Sequence, residues 1–341
     1  MRGLILFTTI FIFLDKVAIH NSIILNGCSR NITKDGKDDD KDCNCKSTKL
    51  KFLGKNSCEI APLPKCLEGH SIIINRDGEL MVLGGNKARF KDVMFQDCLV
   101  YKKNRWVHHS TLNRPKYFSI TITMPNGIYV FGAQAYEQDS GTTAEFLGNG
   151  EYQWEELDTN IPSPGLSSSD GVAISDEGII FTGGIGMMDG MIFDSSYRIR
   201  TFNVKTNKWT FDGKLFEDRW HHKSFIFNDK VIVCGGMNWR LGHDFRLQNK
   251  ILNSTEIISI HSKEVRKAGN LNEARFCHGM GILVIDGVPT LAAFGGLGAV
   301  NVWLSSVELW DDANECWIMS EMRLPGPGYT VTSCSSMYKD I

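Results

Sequence analysis

Short apolar runs recur along the chain, and each ends in a pair of small residues. Leu80–Leu83 precedes Gly84-Gly85, Ile128–Phe131 precedes Gly132-Ala133, and Ile179–Thr182 precedes Gly183-Gly184. Val231–Cys234 likewise precedes Gly235-Gly236, and Thr290–Phe294 precedes Gly295-Gly296. The pairs lie 48, 51, 52 and 60 residues apart (84→132→183→235→295). Upstream of each run, across a tight polar turn, stands another: Ser71–Ile74, Ser119–Thr123, Gly171–Ile174, Ser224–Phe227 and Gly279–Val284. Short apolar runs bounded by Gly, Asn and Asp read as strands. A strand-built unit repeating near every 50 residues is a propeller blade, which buries its faces only against its neighbours.

The pattern continues outward through each unit. In the first, Cys98–Tyr101 and Trp106–His109 follow as strands c and d. Aromatic partners recur on these two strands: Tyr101 with Trp106, Phe146 with Trp154, Phe202 with Trp209, and Trp310 with Trp317. In the fourth unit Ile258 and Val265 take those places. The Gly-Gly after an apolar strand, the aromatic-x6-Trp of Phe202/Trp209 and Trp310/Trp317, and the Arg-x-x-His of Arg219/His222 and Arg275/His278 together resemble the kelch repeat family. The resemblance spans about residues 65–336 and departs from the pattern at Gly132-Ala133 and in the fourth unit. It implies an all-β, kelch-type propeller. Beyond the fifth Gly pair, Tyr329–Ser335 reads as one more strand a, and Lys49–Leu53 and Cys58–Ala61 as outer strands for the same blade. Six blades are therefore expected, the last shared between both termini so that no edge is left open, with five as the alternative.

Composition adds the compartment. Arg2 precedes the apolar stretch Leu4–Leu14, which Asp15-Lys16 closes. That is too short to span a bilayer, which takes about 20 residues, and suits a signal peptide, assigned to residues 1–22. Residues 23–64 form a Cys-containing, Asp/Lys-rich leader, and 65–341 the propeller. Ten cysteines fit an oxidising compartment, and disulfides are expected. Sequons at Asn31 and Asn253 agree with a secretory route. Asp38, Asp40 and Asp42 alternate as in a calcium loop, but Cys43 stands where Gly is needed and Lys49 where a bidentate Glu should be. Cys43-x-Cys45 has neither zinc spacing nor a second pair, so no metal and no cofactor is expected. A net charge of −2 gives no electrostatic case for nucleic acid.

Function is sought on one face. The a–b turns are tight, whereas the b–c loops run roughly over 86–97, 134–143, 185–198, 237–254 and 297–305. Long loops on a rigid scaffold are where binding concentrates. Trp239, Arg240, Phe245 and Trp303 on these loops suit a protein hot spot or sugar stacking. Lys116, Arg219 and Arg275 each follow a core Leu by four residues and are expected at the channel mouth. The kelch resemblance implies that Arg there lines a ligand pocket, where it would hold a carboxylate. His70, His222 and His278, at the start of strand a, are read as hub hydrogen-bonders. No catalytic residue is identifiable. The expectation is a secreted, monomeric binding module for an extracellular protein or carbohydrate, without a stable membrane span. The alternative is a secreted carbohydrate enzyme similar to sialic-acid mutarotases or, less well matched, to copper-radical oxidases.

Overall fold

A computed structural model describes residues 24–27, 49–52, 69–85, 95–132, 143–162, 166–188, 191–241, 247–299, 302–324 and 329–330, with 61, 63, 64 and 67 singly. Five four-stranded antiparallel sheets follow one another along the chain. Blade one comprises Ser71–Ile74, Leu80–Leu83, Asp97–Lys102 and Arg105–Thr111, as strands a to d. Blade two comprises Ile120–Met124, Gly127–Phe131, Ala144–Gly148 and Glu155–Leu157. Blade three comprises Asp170–Ala173, Gly178–Thr182, Arg198–Asn203 and Lys208–Lys214. Blade four comprises Lys223–Phe227, Lys230–Cys234, Thr255–Ser259 and Val265–Ala268, and blade five Gly279–Ile285, Val288–Phe294, Ser306–Asp311 and Cys316–Arg323.

The a strands lie side by side from blade one to blade five. No comparable contact joins blade five back to blade one among the described residues. Both ends of the chain meet in a separate three-stranded sheet: Ile24–Gly27 pairs with Lys49–Phe52 on one side and with Tyr329–Thr330 on the other. Five complete blades are thus described, the count held as the alternative, and the terminal sheet joins Lys49–Phe52 and Tyr329–Thr330, two of the strands assigned to the shared sixth blade. Ile24–Gly27 carries no Gly pair and no aromatic period, so nothing in the repeat pattern announced it. Of the other terminal strands, Tyr329 begins where expected, whereas Cys58–Ile60 lies outside the described residues and Ala61 is not in a strand.

Most apolar surface is buried between neighbouring blades, because each sheet is apolar on both faces, while the outer faces of blades one and five carry clusters of their own. Phe131, Phe181 and Phe202 share one cluster of blades two and three, and Cys234, Leu291, Trp310 and Trp317 share another of blades four and five. The cross-strand aromatic pairs are in register for Tyr101–Trp106, Phe202–Trp209 and Trp310–Trp317, with ring centroids 5.1, 4.9 and 5.2 Å apart. Phe146 and Trp154 do not pair. Phe146 packs on Tyr129 instead, and Trp154 sends its indole N–H to Ser110 Oγ of blade one at 3.0 Å. Trp317 does the same to Thr255 Oγ1 of blade four at 2.9 Å.

The disulfide expectation fails for four of the ten cysteines. Cys98, Cys234, Cys277 and Cys316 are not disulfide-bonded. Cys98 and Cys234 belong to the hydrophobic core, and burial pushes both thiols up to about 12. Cys28, Cys43, Cys45, Cys58, Cys66 and Cys334 lie outside the described residues, as do the proposed signal peptide and Asn31.

Candidate binding face

The three cations expected at the mouth are instead sealed inside the blades. Arg219, Arg275 and Lys116 are 0%, 0% and 1% exposed. Each faces a buried glutamate on strand c of its own blade. Arg219 Nη2 meets Glu256 at 2.6 Å, Arg275 Nη2 meets Glu308 at 2.7 Å, and Lys116 Nζ meets Glu145 at 3.4 Å. The glutamates also accept backbone N–H bonds from the d–a loop. Glu308 takes those of Asn272 and Glu273, Glu256 those of Phe216 and Glu217, and Glu145 those of Asn113 and Arg114. Arg219 and Arg275 spend further donors on the carbonyls of Gly235 and Gly295, each at 2.9 Å. The assignment of these three residues to a ligand is corrected accordingly. A charge taken out of water persists only when paired and hydrogen-bonded, and these are, so they clamp loop to blade.

The histidines do stand at the hub. His222 Nε2 lies 2.8 Å from Thr182 Oγ1 of the preceding blade, and His278 Nε2 lies 3.5 Å from Cys234 Sγ. Burial, with Arg219 or Arg275 close by, holds both imidazoles well below their usual pKa. The Gly pairs make room for them. A Cβ on Gly235 would stand 2.5 Å from the Arg275 carbonyl and 2.7 Å from the His278 ring, and its φ of +64° already suits Gly.

The same d–a loops build the outer face. An equivalent residue just before each strand a takes the left-handed conformation: Gly69, Phe118, Ser168, His221 and Cys277, with φ between 49° and 62°. Their backbones link blade to blade, Phe118 N–H to Gly69 O, His221 N–H to Ser168 O, and Cys277 N–H to His221 O, at 2.8 to 2.9 Å. The residue before three of these left-handed positions anchors a b–c loop. Trp220 and Met237 exchange two backbone bonds, as do Phe276 and Leu297, while Ile185 N–H reaches Ser167 O. Two of these loops are not irregular, as their length suggested, but two-stranded ribbons: Ile185–Met188 with Met191–Ser195, and Met237–Leu241 with Leu247–Ile251.

An aromatic arch results, crossing from blade two to blade four. Tyr117 meets Phe118 at 4.4 Å, Phe118 meets the edge of His221 at 4.7 Å, and His221 meets Trp220 at 4.7 Å. Trp220 and Trp239 then stack at 6.1 Å and 14°. Ile185, Met237 and Phe276 pack around the two indoles. Among the described residues, neither the Trp220 nor the Trp239 indole N–H has a hydrogen-bond acceptor. Trp303, half-buried, bridges Leu297 on blade five. Of the residues expected on this face, Trp239 and Trp303 are therefore present. Arg240 lies on a ribbon strand, its side chain outside the description, and Phe245 lies outside the described residues. Asn253 is half-buried and donates to Leu271 O at 3.1 Å.

Sequence reasoning missed Glu145, Glu256, Glu308, Trp220, His221 and Phe118. One signal was present: Glu256 and Glu308 each stand two residues before the aligned aromatic positions of Ile258 and Trp310.

Five such blades with this loop face define a kelch-type propeller. Residues 17–236 match the KLHDC2/KLHL20/DRC7 Kelch-repeats domain, and the chain belongs to that family. Alpha-scruin of Limulus polyphemus is 26% identical over 151 residues, which are 44% of this chain and 16% of that protein. Beta-scruin of the same animal is 25% identical over 157 residues, 46% of this chain and 16% of its own. The chain thus spans a small fraction of either scruin. The solved structure of YjhT matches with a TM-score of 0.65 at 15% identity, covering 89% of this chain and 99% of that one. At that identity the likeness shows the fold alone. Among the described residues, no helix is long and apolar enough to cross a membrane.

Proposed function

We propose that this chain is a secreted, non-catalytic module that binds an extracellular protein or glycan through the b–c loop face. The observation that carries the reading is the arch from Tyr117 to Trp239, a run of rings on anchored loops that are half-buried apart from the buried Trp220. Rigid aromatics with a polar handle are the side chains that concentrate binding energy. The ribbons support the same conclusion, since strands hold contact residues more firmly than irregular loops. A carbohydrate enzyme would need Arg219 and Arg275 to grip a sugar carboxylate, and both are committed to Glu256 and Glu308. No observation favours that second reading. The test is capture from extracellular fluid by wild type and Trp239→Ala, with equal folding verified. Loss of a hot-spot aromatic costs about 2 kcal/mol or more, roughly 30-fold in affinity. Equal capture by both proteins would reject the arch as the binding surface.

A further inference from the structure

A cavity of about 270 Å³ opens beside blade four, walled among others by Phe216, Glu217, Lys250, Asn253, Ser254 and Lys267. It is small beside pockets for drug-sized ligands, which run about 300–1,000 Å³, and suits a single sugar ring. Its carboxylates are already matched. Glu256 is held by Arg219 at 2.6 Å, and Glu217 by Lys250 at 3.7 Å and by the Ser254 hydroxyl. Phe216 is 59% exposed, an unusual setting for a large apolar ring, and the Lys267 ammonium lies 5.3 Å from its centroid. An aromatic face beside amides, a hydroxyl and a cation is the chemistry that receives a sugar.

The wall also contains the acceptor of a sequon, Asn253-Ser254-Thr255. Asn253 gives one N–H of its amide to Leu271 O at 3.1 Å, and the other is available for substitution. Thr255 is 1% exposed, and its hydroxyl accepts from Trp317, 62 residues further along the chain. The triplet is therefore readable by a transferase only before blade five closes over it, as happens during translocation into a secretory compartment.

We propose that Asn253 carries an N-linked glycan whose first N-acetylglucosamine occupies this cavity, against the face of Phe216. In the transfer, Asn253 Nδ2 loses a proton and bonds to C1 of the sugar, while the lipid pyrophosphate of the oligosaccharide donor leaves. The inference rests on the secretory reading above. Seated there, the sugar covers Phe216 and fills the cavity, so the glycan stabilises blade four.

The test uses full-length protein secreted from a eukaryotic host making high-mannose glycans, in an Asn31→Gln background so that one site remains. Trimming with endoglycosidase H leaves one sugar on Asn253. Its melting is compared with the same sequence made without glycosylation, each with Phe216 and with Phe216→Ala. The trimmed form is expected to melt roughly 2–4 °C higher with Phe216, and Phe216→Ala to remove most of that gain. No gain, or an equal gain in both backgrounds, overturns the proposal. Exported protein whose Asn253 peptide is unmodified overturns it while leaving secretion standing. Protein that is not exported and not modified removes the secretory reading and the proposal together.

Discussion

Glu308→Gln replaces a buried carboxylate by an amide of nearly the same shape, and so isolates the charge of the clamp. Arg275 is then left at 0% exposure with its remaining partners, Gly295 O, Ser306 O and Ser306 Oγ, all neutral, and Glu273 at 3.4 Å on the surface side. Removing one member of a buried ion pair costs about 3–5 kcal/mol. Arg275→Met is expected at the lower end of that range. The Glu308 anion it strands still accepts from Asn272 N and Nδ2 and from Glu273 N, at 2.6, 2.9 and 3.1 Å. The double variant is expected to cost less than the two singles together, with a coupling of about 1–3 kcal/mol. Urea unfolding followed by tryptophan fluorescence reads all four proteins. If either single variant unfolds within about 1 kcal/mol of wild type, the clamp does not have the structural role derived from its burial. If such a variant also loses partner binding, Arg275 belongs to a binding site after all.

Two desolvated imidazoles, His70 at the hub and His221 on the loop face, set a pH dependence. Burial lowers His70 to about 4 and His221 to about 3, from 6.5. Folding thus favours the neutral rings, and their contribution is complete above pH 6.5 and lost as pH falls below it. For His70 alone the loss between pH 6.5 and 4 is about 3 kcal/mol, and unfolding midpoints measured across that range check it. A flat profile would contradict the burial of these rings. The thiols give a second check: Cys277 and Cys316 are expected to react with a thiol reagent in the native protein, and Cys98 and Cys234 only after unfolding. Fast labelling of Cys234 would be inconsistent with the core of blades four and five. Finally, Gly27 pairs with Tyr329 and Ile24 with Phe52, so signal cleavage is expected before Ile24. Sequencing the mature N-terminus decides it, and a start beyond Gly27 would mean that the terminal sheet is absent from the secreted protein.

Much of the fold was legible because its signals are local. A short apolar run ending in a Gly pair with left-handed φ marks strand b in four blades, Gly132-Ala133 taking its place in blade two, and strand a precedes it across a short turn. The aromatic period located strands c and d, with Ile258 opposite Val265 as the fourth unit implied. Phe146 and Trp154 misled because a large residue near the right spacing serves equally well between blades. The site was harder. Lys116, Arg219 and Arg275 were seen in register, but their partners lie 29, 37 and 33 residues away on strand c, and only the folded blade brings them together. A cation before a strand looks the same in sequence whether it faces solvent or a buried carboxylate. The arch was invisible for the same reason: Phe118 and His221 are 103 residues apart, on loops leading into blades two and four, and meet only because the loops crowd around one axis.

Hydrogen exchange on the captured complex tests the central claim most directly, because it reads every face of the propeller at once. Binding through the loop face predicts slowed exchange at Tyr117–Phe118, Trp220–His221, Met237–Leu241 and Phe276–Cys277. The a–b turns at Pro125–Gly127 and Asn228–Lys230, on the opposite face, would be unchanged. Protection centred on those turns, with the arch exchanging as in the unbound protein, would contradict the account.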